Sequence, residues 1–494
     1  MKRVLPVLLA AAALLTGAIS IARAEESDYN KFDRGVTLVK NDKVAMDLWG
    51  RGQMMGVGEI VADPYADNLR IYEFLKQARL GLNGKYEDLF NYQVELAFGG
   101  ENQNSLQSMA GGYDLLDFVA DVPVKPLGEN TILKIGQFRV PYGREALGDE
   151  GYQDYADRSI ANLATNHGRD YGLALMGTHD KWTGTIGTFP DGGRDIAQRY
   201  LPEVFGFPEI VVRAGYNDGV DADIYHVMGT DRKLTRDTKA FYVNGLYERD
   251  TRIGHSTALL SHSVDGNLLT NSNYNPYMNR ADVTANTGAS GICSGVSCQR
   301  GTLFNVGGDA VYRHPMGNRT AVEVEAQVDY GGYQNRYGQL HIASGRVQGD
   351  YQIGNWEIGA RYAQLRMDSH SGFTKQGTAS TNPNGSPVTI PGSTSTSGPL
   401  VQYTVPGAGR PIHEITPSIT YHFRNHTMKL VADAPIYVNA PLGLDTLDGA
   451  YMFGDPTGTT QTSIIATNAT AAGNGNSIVR RTNVSGRMMF QFQF

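Results

Sequence analysis

Two-residue alternation constrains this chain more than any other feature. In "AVEVEAQVDY", Val322, Val324, Ala326, Val328 and Tyr330 share one face of an extended strand, and Glu323, Glu325, Gln327 and Asp329 share the other. "FNYQVELAF" sets Phe90, Tyr92, Val94, Leu96 and Phe98 against Asn91, Gln93, Glu95 and Ala97. "HEITPSITYHF" and "TMKLVADAPI" repeat the pattern, and "RMMFQFQF" ends with Phe490, Phe492 and Phe494 opposite Gln491 and Gln493. A soluble sandwich also alternates, so the period alone does not name the solvent.

The connections do. Short ones ("NGKYED", "THDKW", "HPMGN", "GN" at Gly354, "RNH" at Arg424) take turns with long ones at 99–113, 141–168, 190–207, 265–300, 368–410 and 439–476. Short turns at one end and long polar loops at the other are the layout of an outer-membrane barrel. A sheet in lipid must close, because its edge amides find no water there. The expected fold is therefore all-β: a closed antiparallel transmembrane β-barrel of 16 strands, or 18 if "DADIYHVMG" near Tyr225 pairs. Short periplasmic turns, long outer loops and a water-filled lumen follow. The 59 glycines, 27 tyrosines and 17 phenylalanines suit short strands and tight turns, and beyond the first residues no apolar run is long enough for a helical span.

Those first residues read as a secretory signal. Lys2 and Arg3 precede an apolar run, and Ala22, Arg23 and Ala24 form a small-residue cleavage site. The expected organisation is 1–24 signal peptide, 25–42 periplasmic lead-in and 43–494 barrel, placed in the outer membrane of a Gram-negative bacterium. A closing aromatic strand also resembles the signal read by the barrel-assembly machinery, a transient partner, and the apolar faces make outer-membrane lipid a permanent one.

Charge narrows the function. Lys and Arg number 43 against 50 Asp and Glu, a formal net charge of −7, with no clustered basic face. Nucleic acid is excluded. Cys293 and Cys298 in "GICSGVSCQR" are expected to form one loop disulfide in an exported protein, a free thiol pair being the other reading. No CxxC or His/Cys grouping suggests a metal, and no cofactor is expected. Ser159 near His167 is the one pairing to test as a nucleophile and base, and a loop histidine alone does not make an enzyme.

A channel offsets an anion's desolvation with guanidinium or ammonium groups that bind loosely enough to release it. Alternation points Arg51, Arg79, Arg346 and Arg361 into the lumen. Large barrels also keep lumenal arginines merely to pair with lumenal acids, and Glu95, Glu323, Glu325 and Asp329 supply such acids here.

In order along the chain, "GVTLVKNDKVAMDLWGRGQ", "QARLGLNGKYEDLFNYQVELAFG", "ILKIGQFRVPYGRE" and "DYADRSIAN" resemble the phosphate-selective porin O and P family, from about Gly35 to Gly192. The resemblance implies a homotrimeric channel whose loop after "ILKIGQFRV", residues 141–168, folds inward as a constriction. It makes Arg139, Arg144, Arg158 and Arg169 the constriction candidates. Carried over by position, Arg51 matches the arginine of the family's "GR" strand, Asp114 an aspartate after the second outer loop, and Glu145 and Arg158 the loop's acid and following arginine. The chain departs from the phosphate-selective pattern at Ala146, where those members have lysine, and at Lys76 and Gln77, where they have paired arginines. Arg144 stands beside Glu145 as a replacement charge. The expected function is passive diffusion of small anions, phosphate or related oxyanions, through an arginine-lined constriction; the alternative is a weakly selective general or organic-solute porin.

Overall fold

The structure, a computed structural model, describes residues 35–62, 67–100, 114–165, 167–189, 207–221, 224, 236–252, 300–317, 319–335, 338–370, 380–381, 387–388, 411–441 and 480–494. The expected signal peptide, Cys293, Cys298 and Tyr225 lie outside these residues.

Strands dominate. They run β1 (Val36–Lys40), β2 (Val44–Ala62), β3 (Asp67–Tyr86), β4 (Phe90–Gly100), β5 (Asp114–Pro123), β6 (Thr131–Arg139) and β7 (Arg169–His179). Next come β8 (Trp182–Phe189), β9 (Phe207–Asn217), β10 (Thr238–Arg252), β11 (Arg300–Gly317), β12 (Thr320–Asn335), β13 (Gly338–Ile353) and β14 (Trp356–His370). A separate two-stranded pair, β15 (Ser380–Thr381) and β16 (Pro387–Val388), precedes β17 (Ile412–Arg424), β18 (Met428–Asp433), β19 (Ile436–Pro441) and β20 (Arg480–Gln493).

Each long strand pairs antiparallel with its sequence neighbour, and β2 pairs with both β3 and β20, which closes the sheet. β18 and β19 are two pieces of one barrel strand, since both lie between β17 and β20. They part at Ala434 and Pro435, where proline has no N–H for the ladder. The result is a closed barrel of 16 strands. Across the seam, Gln53 Nε2 donates to Gln491 Oε1 at 2.7 Å, and Phe494 exchanges backbone hydrogen bonds with Gly50 at 3.0 and 3.1 Å. β1, within the expected lead-in, pairs with β2 at Ala45–Leu48 and so continues, end to end, the edge that β20 covers from Arg51 onward.

The alternation is inside out relative to a soluble fold. On β12, Val328 is 64 % exposed while Glu323 is 2 % exposed. Phe492 and Phe494 face outward, and Gln491 is fully buried in the lumen. At the turn end, Trp182, Tyr216 and Phe241 pack with ring centroids 5.6 to 5.8 Å apart, and Trp356 meets Tyr421 at 4.7 Å. Such aromatics form an interfacial girdle. Among the described residues no helix is long and apolar enough to cross a membrane.

Candidate functional site

The connection between β6 and β7, residues 140–168, enters the barrel. Val140 N–H donates to the Gly168 carbonyl at 3.0 Å and closes the loop's neck. Val140, Tyr142, Leu147, Ile160 and Ala161 then pack in one cluster with the wall residues Leu246, Leu303, Ile342, Leu365 and Ile412. Apolar burial of this kind, at about 25 cal/mol per Å², draws the loop inward rather than out into solvent. Gly143 has φ +71 and starts a helical turn, Arg144–Leu147, where a Cβ would lie 2.8 Å from Gln327 Nε2. A second short helix, Ile160–Thr165, has its first N–H donating to Glu414 at 2.6 Å.

The loop's polar face meets the wall through two glutamates. Glu150 lies among four guanidinium groups: Arg79 at 2.8 Å, Arg139 at 2.9 Å, Arg158 at 2.6 Å and Arg51 at 3.7 Å. Burial alone would raise its pKa, but Arg139, Arg158, Arg79 and Arg51 hold it well below the ordinary carboxylate range. Arg139 also donates to the carbonyls of Ala146, Leu147 and Gly148 at 3.1, 3.2 and 2.7 Å, which caps the helical turn. Arg51 bonds Asp149, and Arg79 reaches Glu95 at 2.9 Å.

Glu145 forms the second centre. It accepts from the Ser159 N–H and hydroxyl at 2.6 and 2.5 Å, and lies 3.2 Å from Arg346 Nε and 3.7 Å from Arg361. Arg346 also pairs with Glu325 at 2.7 Å and Arg361 with Glu414 at 2.6 Å, while the Arg361 guanidinium stacks 4.5 Å over the Tyr155 ring. Farther along, Asp157 accepts from Lys76 at 3.0 Å.

Toward the turn end an acidic group closes the loop's lower side. Carboxylate oxygens of Asp154, Asp350 and Glu357 lie within 4.8 Å of one another, and Glu357 is 3.3 Å from His422. Burial, and then Glu357, Asp350 and Glu323, push the Asp154 carboxyl well above its ordinary pKa. Between loop and wall a cavity of about 40 Å³ remains, lined by Tyr152, Asp154, Glu325, Arg346 and Arg361 among others, enough for about two waters.

The structure places the sequence-predicted residues as follows. Arg51, Arg79, Arg346 and Arg361 all point inward and are buried. Arg51, Arg79, Arg139 and Arg158 converge on Glu150, whereas Arg169 stands aside with Asp117 at 3.0 Å and Glu95 at 3.4 Å. Arg144 lines the cavity as well, buried and paired with Asp221 and Glu325. Asp114 opens β5 opposite Ala97. The Ser159 hydroxyl serves Glu145, and His167 lies against Asn305 at 3.2 Å, so neither contact is that of a nucleophile with its base. Sequence reasoning missed Glu150, Asp157, Asp221 and Lys76. Strand period carries no signal in connections, and only Lys76, on β3, lay where the period could have found it.

Residues 61–200 match the family model described as phosphate-selective porin O and P. The protein is an outer-membrane porin that resembles this family. The porin's place is the outer membrane of a Gram-negative bacterium. No curated protein matches it. Among solved structures it is similar to the anion-selective porin of Comamonas acidovorans, with 10 % identity, a TM-score of 0.50, and 92 % of this chain and 100 % of that one covered. The outer-membrane channel DcaP of Acinetobacter baumannii shares 9 % identity at a TM-score of 0.48, with 93 % and 100 % covered. For OmpT of Vibrio cholerae the figures are 10 % and 0.47, with 92 % and 99 % covered. At these identities the likeness is one of fold, and the family match points to a channel rather than an enzyme.

Proposed function

We propose that this porin lets small anions, phosphate or related oxyanions foremost, diffuse passively through a constriction formed by residues 140–168, and that it works as a homotrimer. The observation that carries this reading is the convergence of Arg51, Arg79, Arg139 and Arg158 on the constriction, with Arg346 and Arg361 across the loop. Guanidinium groups suit oxyanions by charge and by their planar donor pairs, and several in a row give an ion successive weak sites instead of one trap. The family's description as phosphate-selective, and the anion-selective porin of Comamonas acidovorans, support the same choice. The homotrimer belongs to this reading through the family resemblance, the cleaved signal at 1–24 through Lys2, Arg3 and the Ala22–Ala24 cleavage site, and delivery by the barrel-assembly machinery through the closing aromatic strand.

A specific observation favours a second reading, a weakly selective porin. Among the described residues, buried acidic side chains outnumber buried lysines and arginines. Planar-bilayer reversal potentials in a KCl gradient separate the two. The anion reading expects chloride preference, block of chloride current by added phosphate, and weaker preference in Arg158→Ala and Arg144→Ala. Cation preference without phosphate block, or unchanged selectivity in both variants, would refute it.

A further inference from the structure

We propose that Asp154, Asp350 and Glu357 form a calcium site that fastens the turn side of the inward loop to the barrel wall. The site stands apart from the anion reading above, and each can fail without the other.

The three carboxylates come from three elements: Asp154 from the loop, Asp350 from β13 and Glu357 from β14. All are buried, and one oxygen of each lies within 4.8 Å of the other two. That spacing lets all three touch a single ion at calcium's contact distance of about 2.3–2.6 Å. Asp154 also borders the small cavity between loop and wall, which leaves room for water to complete the roughly six to eight oxygens that calcium takes.

Charge asks for a divalent ion. The charged groups that bear most on Asp350 are Glu357, Glu323 and Glu325, all acids, and its neutral donors Tyr155 and Gln348 reach it only at 3.3 and 3.4 Å. Glu323 has Arg313 at 3.4 Å, and Glu325 has Arg144 and Arg346 at 3.0 and 2.7 Å. The trio is less well matched. On Asp154 the acids are opposed by Lys429, whose Nζ donates to the Gln153 carbonyl. Three carboxylates against one ammonium leave two negative charges in a buried place, and one Ca2+ cancels them.

A second observation points to the same ligand. Glu357 is 2 % exposed, and neither of its carboxylate oxygens receives a hydrogen bond. Its neighbour is His422, whose Nδ1 lies 2.8 Å from the Asn425 carbonyl; a carbonyl only accepts, so the proton of the neutral ring sits on Nδ1. The Nε2 lone pair then faces Glu357 at 3.3 Å, acceptor against acceptor. A metal cation beside Glu357 relieves that opposition, whereas a proton on His422 cancels only one of the two charges.

The test is thermal unfolding of the purified full-length porin in micelles, stripped of metal with EDTA and dialysed, as CaCl2 or, at equal ionic strength, KCl is added. Expected is a rise in midpoint at calcium concentrations at least tenfold below those that raise it in Asp154→Asn or Asp350→Asn, with no such rise from KCl. Equal responses of the unsubstituted porin and both variants, or a rise matched by KCl, would overturn the site. If the variants do not assemble, terbium luminescence of the unsubstituted porin decides. Tyr155, whose hydroxyl lies 3.3 Å from Asp350, should sensitise a saturable site that calcium displaces, and Tyr155→Phe should at least halve the emission. Emission that calcium does not displace, or that Tyr155→Phe leaves unchanged, overturns it. Reversal potentials of the metal-free porin decide the anion reading separately.

Discussion

Arg144 and Asp221 form a two-pronged buried ion pair, at 2.8 and 3.0 Å, although they lie on connections that enter the barrel from opposite ends. Arg144 belongs to the inward loop between β6 and β7, and Asp221 to the turn-side connection between β9 and β10. The pair fastens the loop from below, with Glu325 on the wall as the third member. Removing one partner of a buried pair leaves an uncompensated charge. Asp221→Asn should therefore lower the unfolding free energy by about 3 kcal/mol, read from urea unfolding in micelles. It should also shift the reversal potential toward anions, since one lumenal negative charge is gone.

The lipid face predicts a depth dependence. Val328 is outward-facing at mid-strand, and Phe492 is outward-facing near the turn end. Val328→Arg should cost about 2–4 kcal/mol of folding free energy into vesicles, and Phe492→Arg only about 0–1 kcal/mol. Equal costs would contradict the placement of these two residues across the bilayer.

Backbone geometry supplies a third prediction. Gly136 has φ +130, and a Cβ there would be driven into the Phe118 carbonyl across the β5–β6 ladder. Gly136→Ala should cost about 1–3 kcal/mol. Gly58 has open space where a Cβ would go, so Gly58→Ala should be neutral or stabilising by about 0.5 kcal/mol. Chemical-denaturation midpoints of the two variants check the contrast.

Asp154 predicts a pH dependence. Burial and then Glu357, Asp350 and Glu323 raise its pKa, Lys429 opposes them, and His422 faces Glu357. Because the folded value lies above the unfolded one, the native state holds an extra proton once the pH exceeds about 4. Stability from this group is complete below the unfolded pKa and is lost as pH rises through the folded one. Asp154→Asn should flatten that loss and raise the neutral-pH melting temperature, measured by thermal unfolding across pH 4 to 8. A steeper loss in the variant would contradict the assignment.

The strands and their faces were legible because each wall residue answers to a period-two rule local to its own strand. Glu323 and Val328 declare opposite faces within one segment, and Arg346 and Arg361 inherit theirs the same way. The pairings were not legible. Asp221 meets Arg144 across 77 residues, and Glu150 gathers arginines from three strands, with no local pattern to announce either. Residues 25–42 were read as a lead-in, and only the pairing of Val36–Lys40 with Ala45–Leu48 makes part of that segment a strand. The choice between 16 and 18 strands turned on "DADIYHVMG" near Tyr225, whose pairing the period rule leaves open, and the described strands make a barrel of 16.

The seam between β2 and β20 joins Gln53 to Gln491 across 438 residues of chain. A cylinder fastened so late in its own sequence has no comfortable half-built form in lipid: until those margins meet, each presents a row of orphan amides that hydrocarbon will not solvate. Insertion and fastening must then be a single concerted event, or another protein must lend a temporary margin to hold the open sheet until its own arrives.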